Sequence, residues 1–295
     1  MTTNVLVPID GSDQSYGGVV YALGSFPDVE LTTLHVIDAE REWYEEGDFP
    51  ETWEERARET AASYHDRAAA LAAEYDVNVT AETTVGIPHK EILQYVVDHD
   101  VDHVVMGSHG RSPITRPFIG HVTEAVARRA DVTVTVVPDS ANELTERSLP
   151  GRILVPVDGS EQAATALSYA LSRFPDAPVT ALHVVDAPLD YSHEELEGTY
   201  VQNQFEDLQT LADRVLKATE ERAVARDCEI DTASTFGKPA REIVSYGIDN
   251  GFDQIVMGSH GRSGLARVLL GSVAEAVARD APMPVTLVRE SVADE

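Results

Sequence analysis

A chain of 295 residues, 43% hydrophobic and 25% charged, is long enough for two independent cores and too apolar to remain disordered. Its 51 acidic residues outnumber 22 basic ones for a formal charge of -29, and only Lys90, Lys217 and Lys238 are lysines, which excludes binding built on Lys and Arg contacts to nucleic-acid phosphates. The single cysteine, Cys228, excludes an intrachain disulfide, and no apolar run approaches the ~20 residues that span a bilayer.

In chain order, short β-branched runs alternate with longer helical patterns, the signature of parallel strands joined by crossover helices. In the first half, strands are predicted from Val5 to Ile9, Leu31 to Ile37, Val77 to Thr84, His103 to Met106 and Val132 to Val137. A long helix with a polar, acidic face is predicted from about Glu51 to Tyr75. Ahead of it, Asp38 to Pro50 holds Trp43, Tyr44 and Phe49 among acidic residues and reads as a solvated connection with its aromatic residues tucked onto the sheet edge, the alternative being a flap over a ligand or a partner surface. The polar stretch 139–150 reads as a linker between a first domain, 1–138, and a second, 151–295. In the second half, the strands are Ile153 to Val157, Val179 to Val185, Glu229 to Thr235, Gln254 to Met257 and Val285 to Val288, with the long helix from about Glu194 to Arg226. Four helices are expected in each half.

The halves are copies. Val7-Pro8-Ile9-Asp10-Gly11-Ser12 returns as Val155-Pro156-Val157-Asp158-Gly159-Ser160, 148 positions later. Met106-Gly107-Ser108-His109-Gly110-Arg111-Ser112 returns unchanged as Met257-Gly258-Ser259-His260-Gly261-Arg262-Ser263, 151 positions later. The three-residue difference arises between the second strand, where His35 matches His183, and Gly86, which matches Gly237. A period near 150 residues is the size of a domain, not of a solenoid repeat.

The repeated heptapeptide falls where a parallel strand ends and turns toward a helix, the place where open α/β sheets bind ligands. Glycines there leave no side chain between the backbone amides and an incoming phosphate. In the second copy, Gly258, Gly261 and Gly271-Ser272 lead into the periodic run Val273-Ala274-Glu275-Ala276-Val277, so Gly271 and Ser272 open a helix. Its free N–H groups and positive dipole end suit a phosphate.

The spacing G-x2-G-x9-G-[S/T], together with the Asp-Gly-Ser block on the first strand, resembles the universal stress protein family over both halves, as a tandem copy. Neither a P-loop nor a G-x-G-x-x-G fingerprint is present. The resemblance implies two flavodoxin-like (HUP-type) α/β domains, each a five-stranded parallel sheet of order 3-2-1-4-5 with helices on both faces. It also implies an adenine nucleotide, ATP or its ADP or AMP relatives, with Mg²⁺ or Mn²⁺ arriving only alongside the phosphates and no metal held by protein alone.

By the same resemblance, Asp158 would contact the ribose, Pro156 and Val157 would line the pocket beside Met257, and Val185 would offer backbone groups to the adenine edge. Gly258, Ser259, Gly261, Arg262, Gly271, Ser272 and Val273 would surround the phosphates; a lone arginine such as Arg262 is equally read as a surface residue. The first copy offers a weaker site of Pro8, Ile9, Asp10, Ile37, Gly107, Ser108, Gly110, Arg111, Gly120 and His121. There His121 replaces Ser272, while Pro113 and Pro117 stand opposite Gly264 and Val268, each removing a backbone donor.

His109 and His260 read as residues that shape the loops, not as general bases, since nothing in the sequence orients either toward a water. His35 and His183 read as packing residues. The apolar fifth strands invite pairing of the two domain edges as an intrachain pseudo-dimer, with further homodimerisation left open. The acid-rich, lysine-poor composition resembles that of salt-in halophiles, and a halophilic archaeon is the expected source, because concentrated salt shortens screening to on the order of 3 Å at 1 M. With no leader-like N-terminus, a cytoplasmic location is expected. The function expected is nucleotide-dependent stress-response signalling through an unknown protein partner, with catalysis limited to slow ATP hydrolysis. The alternatives are a slow ATPase or adenylyl-transfer enzyme, and a nucleotide-free chaperone-like or scaffold protein.

Overall fold

A computed structural model of the chain describes residues 2–38, 50–109, 119–138, 144, 148–186, 199–259 and 270–289, the side chains of 50–52 and 199–206 excepted. It divides near residue 150 into two compact units.

In unit 1, β1 (Thr3–Pro8), β2 (Val29–Ile37), β3 (Val79–Val85), β4 (His103–Gly107) and β5 (Thr133–Val137) alternate with α1 (Asp13–Ser25), α2 (Pro50–Ala73), α3 (Pro88–Asp98) and α4 (His121–Arg129). The strands are all parallel, in the order β3-β2-β1-β4-β5. Two crossovers step one way from β1 and the next two step the other way. Because such crossovers are right-handed, α1 and α2 lie on one face of the sheet and α3 and α4 on the other. Accordingly, α1 packs on α2, and α3 on α4.

Unit 2 repeats the plan with β6 (Ile153–Pro156), β7 (Val179–Val185), β8 (Asp231–Phe236), β9 (Gln254–Gly258) and β10 (Val285–Val288), and with α5 (Glu161–Arg173), α6 (Thr199–Val224), α7 (Pro239–Asp249) and α8 (Ser272–Asp280). Its order is β8-β7-β6-β9-β10, again parallel throughout. This is the 3-2-1-4-5 arrangement expected, twice. Central strands such as β1, with Val5, Leu6 and Val7 buried, read as continuous apolar runs because helices cover both faces. Outer strands β3 and β8 hold no fully buried residue and expose Thr80, Glu82, Asp231 and Ser234.

The third strand of each unit starts two residues later than predicted. After α2 the chain passes through Asp76 at φ 55°, and the Val77 N–H returns to the Ala72 carbonyl at 3.1 Å. Asp227 at φ 57° and the Cys228 N–H to Ala223 repeat that left-handed cap after α6. The cap consumes the residues that a β-propensity reading assigned to the strand. Most of the expected linker lies outside the described residues, but Leu144 is buried and Leu149 packs on Gly24 of α1. The aromatic segment with Trp43, Tyr44 and Phe49 is outside the described residues as well.

Candidate functional site

In unit 2 the site is built where the sheet order reverses, at the carboxyl ends of β6 and β9. Past β6, the Val157 N–H donates to the Leu182 carbonyl at 2.8 Å, and the protonated Nδ1 of buried His183 donates to the Val157 carbonyl at 2.7 Å. His183 therefore has a structural task, fixing both the backbone at the end of strand one and its own tautomer. The chain then turns through Gly159 at φ 82°. Asp158 Oδ1 accepts from the Ser160 N–H at 2.9 Å, and Ser160 Oγ caps α5 by accepting from the Ala163 N–H at 3.2 Å.

Past β9, the Ser259 N–H donates to Val288 at 3.1 Å, and the Ser259 carbonyl accepts from the Gly271 N–H at 2.8 Å. That bond draws the two ends of the heptapeptide loop together. It sets Gly271 as the N-cap of α8 at φ -64° and ψ 144°, without a side-chain cap hydrogen bond. The first N–H groups of a helix have no intrahelical acceptor, and the dipole places partial positive charge beside them.

A cavity of about 340 Å³ lies between these ends. Its lining includes apolar side chains, Leu182 and Val184 of β7 and Pro239 and Ile243 of α7. Gly258, Gly271, Ser272 and Val273, at the end of β9 and the start of α8, line it as well, together with Asp158 and Ser160. Among the described lining residues Asp158 alone carries a formal charge. An apolar pocket with a few convergent polar groups, at the lower end of the usual range of about 300–1,000 Å³, suits a small ligand with a flat apolar part and an anionic part.

Of the residues singled out in this half, Pro156, Val157, Asp158, Met257, Gly258, Gly271, Ser272 and Val273 come together around the cavity. Ser259 is buried and is not among the lining residues, and its carbonyl holds the loop ends together. Val185 is not among the lining residues, and its carbonyl accepts the Gly237 N–H at 3.0 Å. Gly261, Arg262 and His260 lie outside the described residues. Sequence reasoning overlooked Ser160, Ala163, Leu182, Val184, Pro239, Ile243 and Ala274. For Pro239 a signal existed, since Gly86-Ile87-Pro88 recurs as Gly237-Lys238-Pro239. The others depend on which side of a strand or helix faces the cavity.

In unit 1 the same backbone is present with different side chains upon it. Ile9 N–H donates to Leu34, the Ile37 carbonyl accepts from Gly86, and Ser108 N–H donates to Val137 at 2.7 Å. His35 Nδ1 holds the Ile9 carbonyl at 2.8 Å as His183 holds Val157. Pro8 ends β1, Asp10 Oδ1 accepts from the Ser12 N–H at 3.0 Å and from its hydroxyl at 2.6 Å, and Gly120 caps α4, which begins at His121. Yet the Thr123 hydroxyl donates to the Gly107 carbonyl at 2.8 Å, where unit 2 has Ala274 beside the cavity. The Tyr64 ring also lies against Gly11 in the Asp10 turn. His109 Nδ1 lies 2.9 Å from the Ser108 hydroxyl, a contact within the loop. Gly110, Arg111, Pro113 and Pro117 are outside the described residues. Among the described residues no cluster of three His, Cys, Asp or Glu is arranged to hold a metal, and no helix is long and apolar enough to cross a membrane.

Two units of identical order, each with its first and fourth strands meeting at a glycine turn, define a duplicated, doubly wound α/β protein. A profile of the universal stress protein family matches residues 1–138 and 150–289. The chain is 30% identical over 307 residues to universal stress protein Rv2005c of Mycobacterium tuberculosis, covering 97% of each chain. It is 36% identical over 147 residues to universal stress protein MJ0531 of Methanocaldococcus jannaschii, covering 47% of this chain and 82% of that one. A crystal structure of a universal stress protein from Archaeoglobus fulgidus shares the fold with a TM-score of 0.70 at 24% identity, over 99% of this chain and 97% of the other. The chain thus belongs to the universal stress protein family, in tandem form.

Proposed function

We propose that unit 2 binds an adenine nucleotide, ATP in the first instance, and that the chain serves as a nucleotide-dependent stress-response module. The observation that carries this reading is the cavity in which the uncapped N-terminus of α8 faces an apolar slot. The base would enter between Val184 and Ile243, the ribose would meet Asp158, and the phosphates would rest on the N–H groups of Ser272 and Val273. Gly261 and Arg262 would complete the phosphate side, and Mg²⁺ or Mn²⁺ would arrive with the nucleotide. Binding would favour one arrangement of the loop ends and α8, and a protein partner would read that surface. The acidic composition suits a salt-rich cytoplasm, so binding is best measured in concentrated KCl.

Ser272→Pro provides the test. Proline is tolerated at the first position of a helix, and Gly271 at φ -64° and ψ 144° already has the extended backbone required before it. The change removes one N–H and one hydroxyl from the phosphate side while leaving α8 intact. Hydrogen bonds to charged groups contribute about 1.5–3 kcal/mol, so ATP affinity in calorimetry should fall by at least about tenfold. Undiminished binding would overturn the phosphate assignment. A wild-type chain that neither retains nucleotide on purification nor takes up ATP would favour the scaffold alternative, and steady phosphate release the enzymatic one.

A further inference from the structure

At the amino ends of the strands of unit 1, away from the glycine loops, a second cavity of about 570 Å³ opens beside α3. The equivalent region of unit 2 shows what such a space can hold. Asn4 and Arg152 are equivalent, since each donates its backbone N–H to a matching carboxylate, Asp102 at 2.9 Å and Asp253 at 2.7 Å. In unit 2 the Arg152 guanidinium lies 4.7 Å above the Phe252 ring and donates to the Asn250 carbonyl at 2.5 Å. Phe252 in turn lies 5.9 Å from Tyr246. A cation, a ring and a second, tilted ring thus follow one another at the amino ends of the strands.

Unit 1 keeps only the last of these layers. Asn4 and Val101 stand at the places of Arg152 and Phe252, and both line the cavity. Tyr95, the counterpart of Tyr246, remains and is covered by His99, stacked at 3.9 Å with an interplanar angle of 8°. The Asp100 carbonyl, opposite the Gly251 carbonyl that accepts from Arg152 at 3.4 Å, accepts from the Asn4 amide at 3.3 Å. Glu30 and Asp76 bring carboxylates to the lining, which contains no lysine or arginine.

We propose that this cavity is a binding site for a small planar organic cation, an aryl amidine or aryl guanidine, that takes the place Arg152 and Phe252 fill in unit 2. The ring would layer on the Tyr95–His99 pair as Phe252 layers on Tyr246. The charged group would donate toward the Asp100 carbonyl and sit within the field of Glu30 and Asp76. A cation above aromatic faces and beside carboxylates is favoured on both counts. The site shares no residue with the cavity of unit 2, so it stands or falls independently of nucleotide binding.

Benzamidine, neutral benzamide and guanidinium chloride are the probes, with the Tyr95 and His99 ring resonances of the full chain followed at constant ionic strength. Benzamidine should shift both rings saturably, and benzamide and guanidinium should each bind at least about tenfold more weakly, each lacking one half of the recognised group. The double variant Asn4→Arg, Val101→Phe transplants the side chains of unit 2 and should abolish the shifts while preserving the circular dichroism spectrum. No saturable shift with benzamidine, equal binding of benzamide, or full binding by the folded Asn4→Arg, Val101→Phe chain would overturn the proposal.

Discussion

Replacing Gly107 by alanine tests whether the first glycine of the heptapeptide is present for packing or for a ligand. A Cβ on Gly107 would lie 2.8 Å from the Gln14 carbonyl carbon, 2.9 Å from its oxygen and 2.9 Å from the Ser15 nitrogen, all backbone of α1. Ordinary contact begins at 3.4 Å, so α1 or β4 must withdraw by about half an ångström. The helix is poorly placed to do so, because Ser12 caps its start and its own Val19, Val20, Tyr21 and Ala22 are buried. Overpacking of this kind costs about 1–3 kcal/mol. At Gly258 the nearest Gln162 atoms stand at 3.0 Å, so alanine there should cost toward the lower end of that range. For a unit of this size each kcal/mol lowers the melting temperature by about 2–4 °C. Calorimetry with amide exchange should show the α1 amides of Gly107→Ala opening earlier, by more than the α5 amides of Gly258→Ala. If Gly107→Ala is as stable as the parent within about 0.5 kcal/mol, the helix has room to adjust and the packing account fails.

Ser12→Ala and Ser160→Ala should each cost about 1 kcal/mol, and up to about 2, because each removes the side-chain acceptor that caps α1 or α5; denaturant titration measures it. Unit 1 should lose stability on mild acidification. His65 is buried between Thr33 at 2.8 Å and Thr83 at 3.1 Å, and burial first, then His35, lowers its pKa below 6.5. The neutral ring is therefore favoured by folding, so its contribution is complete above about 6.5 and is lost as pH falls through the depressed folded value. His65→Leu, which copies buried Leu216 of unit 2, should flatten that part of the stability profile, and an unchanged profile would exclude His65 as its source.

The fold was legible because its signals are local and occur twice. Val179 to Val185 was read to the residue, and the order of strands followed from the family resemblance carried by the two glycine blocks. The failures have tertiary causes. Asp76 and Asp227 adopt the left-handed backbone usually assigned to glycine, so the strands after them start late. Which β7 residues line the cavity was not legible either: Leu182 and Val184 border it, and the Val185 carbonyl accepts the Gly237 N–H. Heptapeptide identity could not reveal Thr123, which hydrogen-bonds to Gly107 from the following helix, or Tyr64, which reaches Gly11 from α2.

Those two side chains and the Arg152–Phe252 pair suggest how a duplicated chain divides labour. A single domain under selection for one pocket must keep the rest of its surface compatible with that use. After duplication each copy is free to change what the other retains. At the carboxyl ends of the strands, unit 1 places Thr123 where unit 2 has Ala274 on the cavity wall. At the amino ends the exchange runs the other way, with the large pair Arg152 and Phe252 in unit 2 and the small pair Asn4 and Val101 bordering the cavity of unit 1. In both cases the backbone hydrogen bonds are kept: Gly120 to Ser108 matches Gly271 to Ser259, and Asp102 to Asn4 matches Asp253 to Arg152. Conserving the frame while exchanging side-chain volume at opposite ends requires no new fold, only substitutions of the kind that cores tolerate.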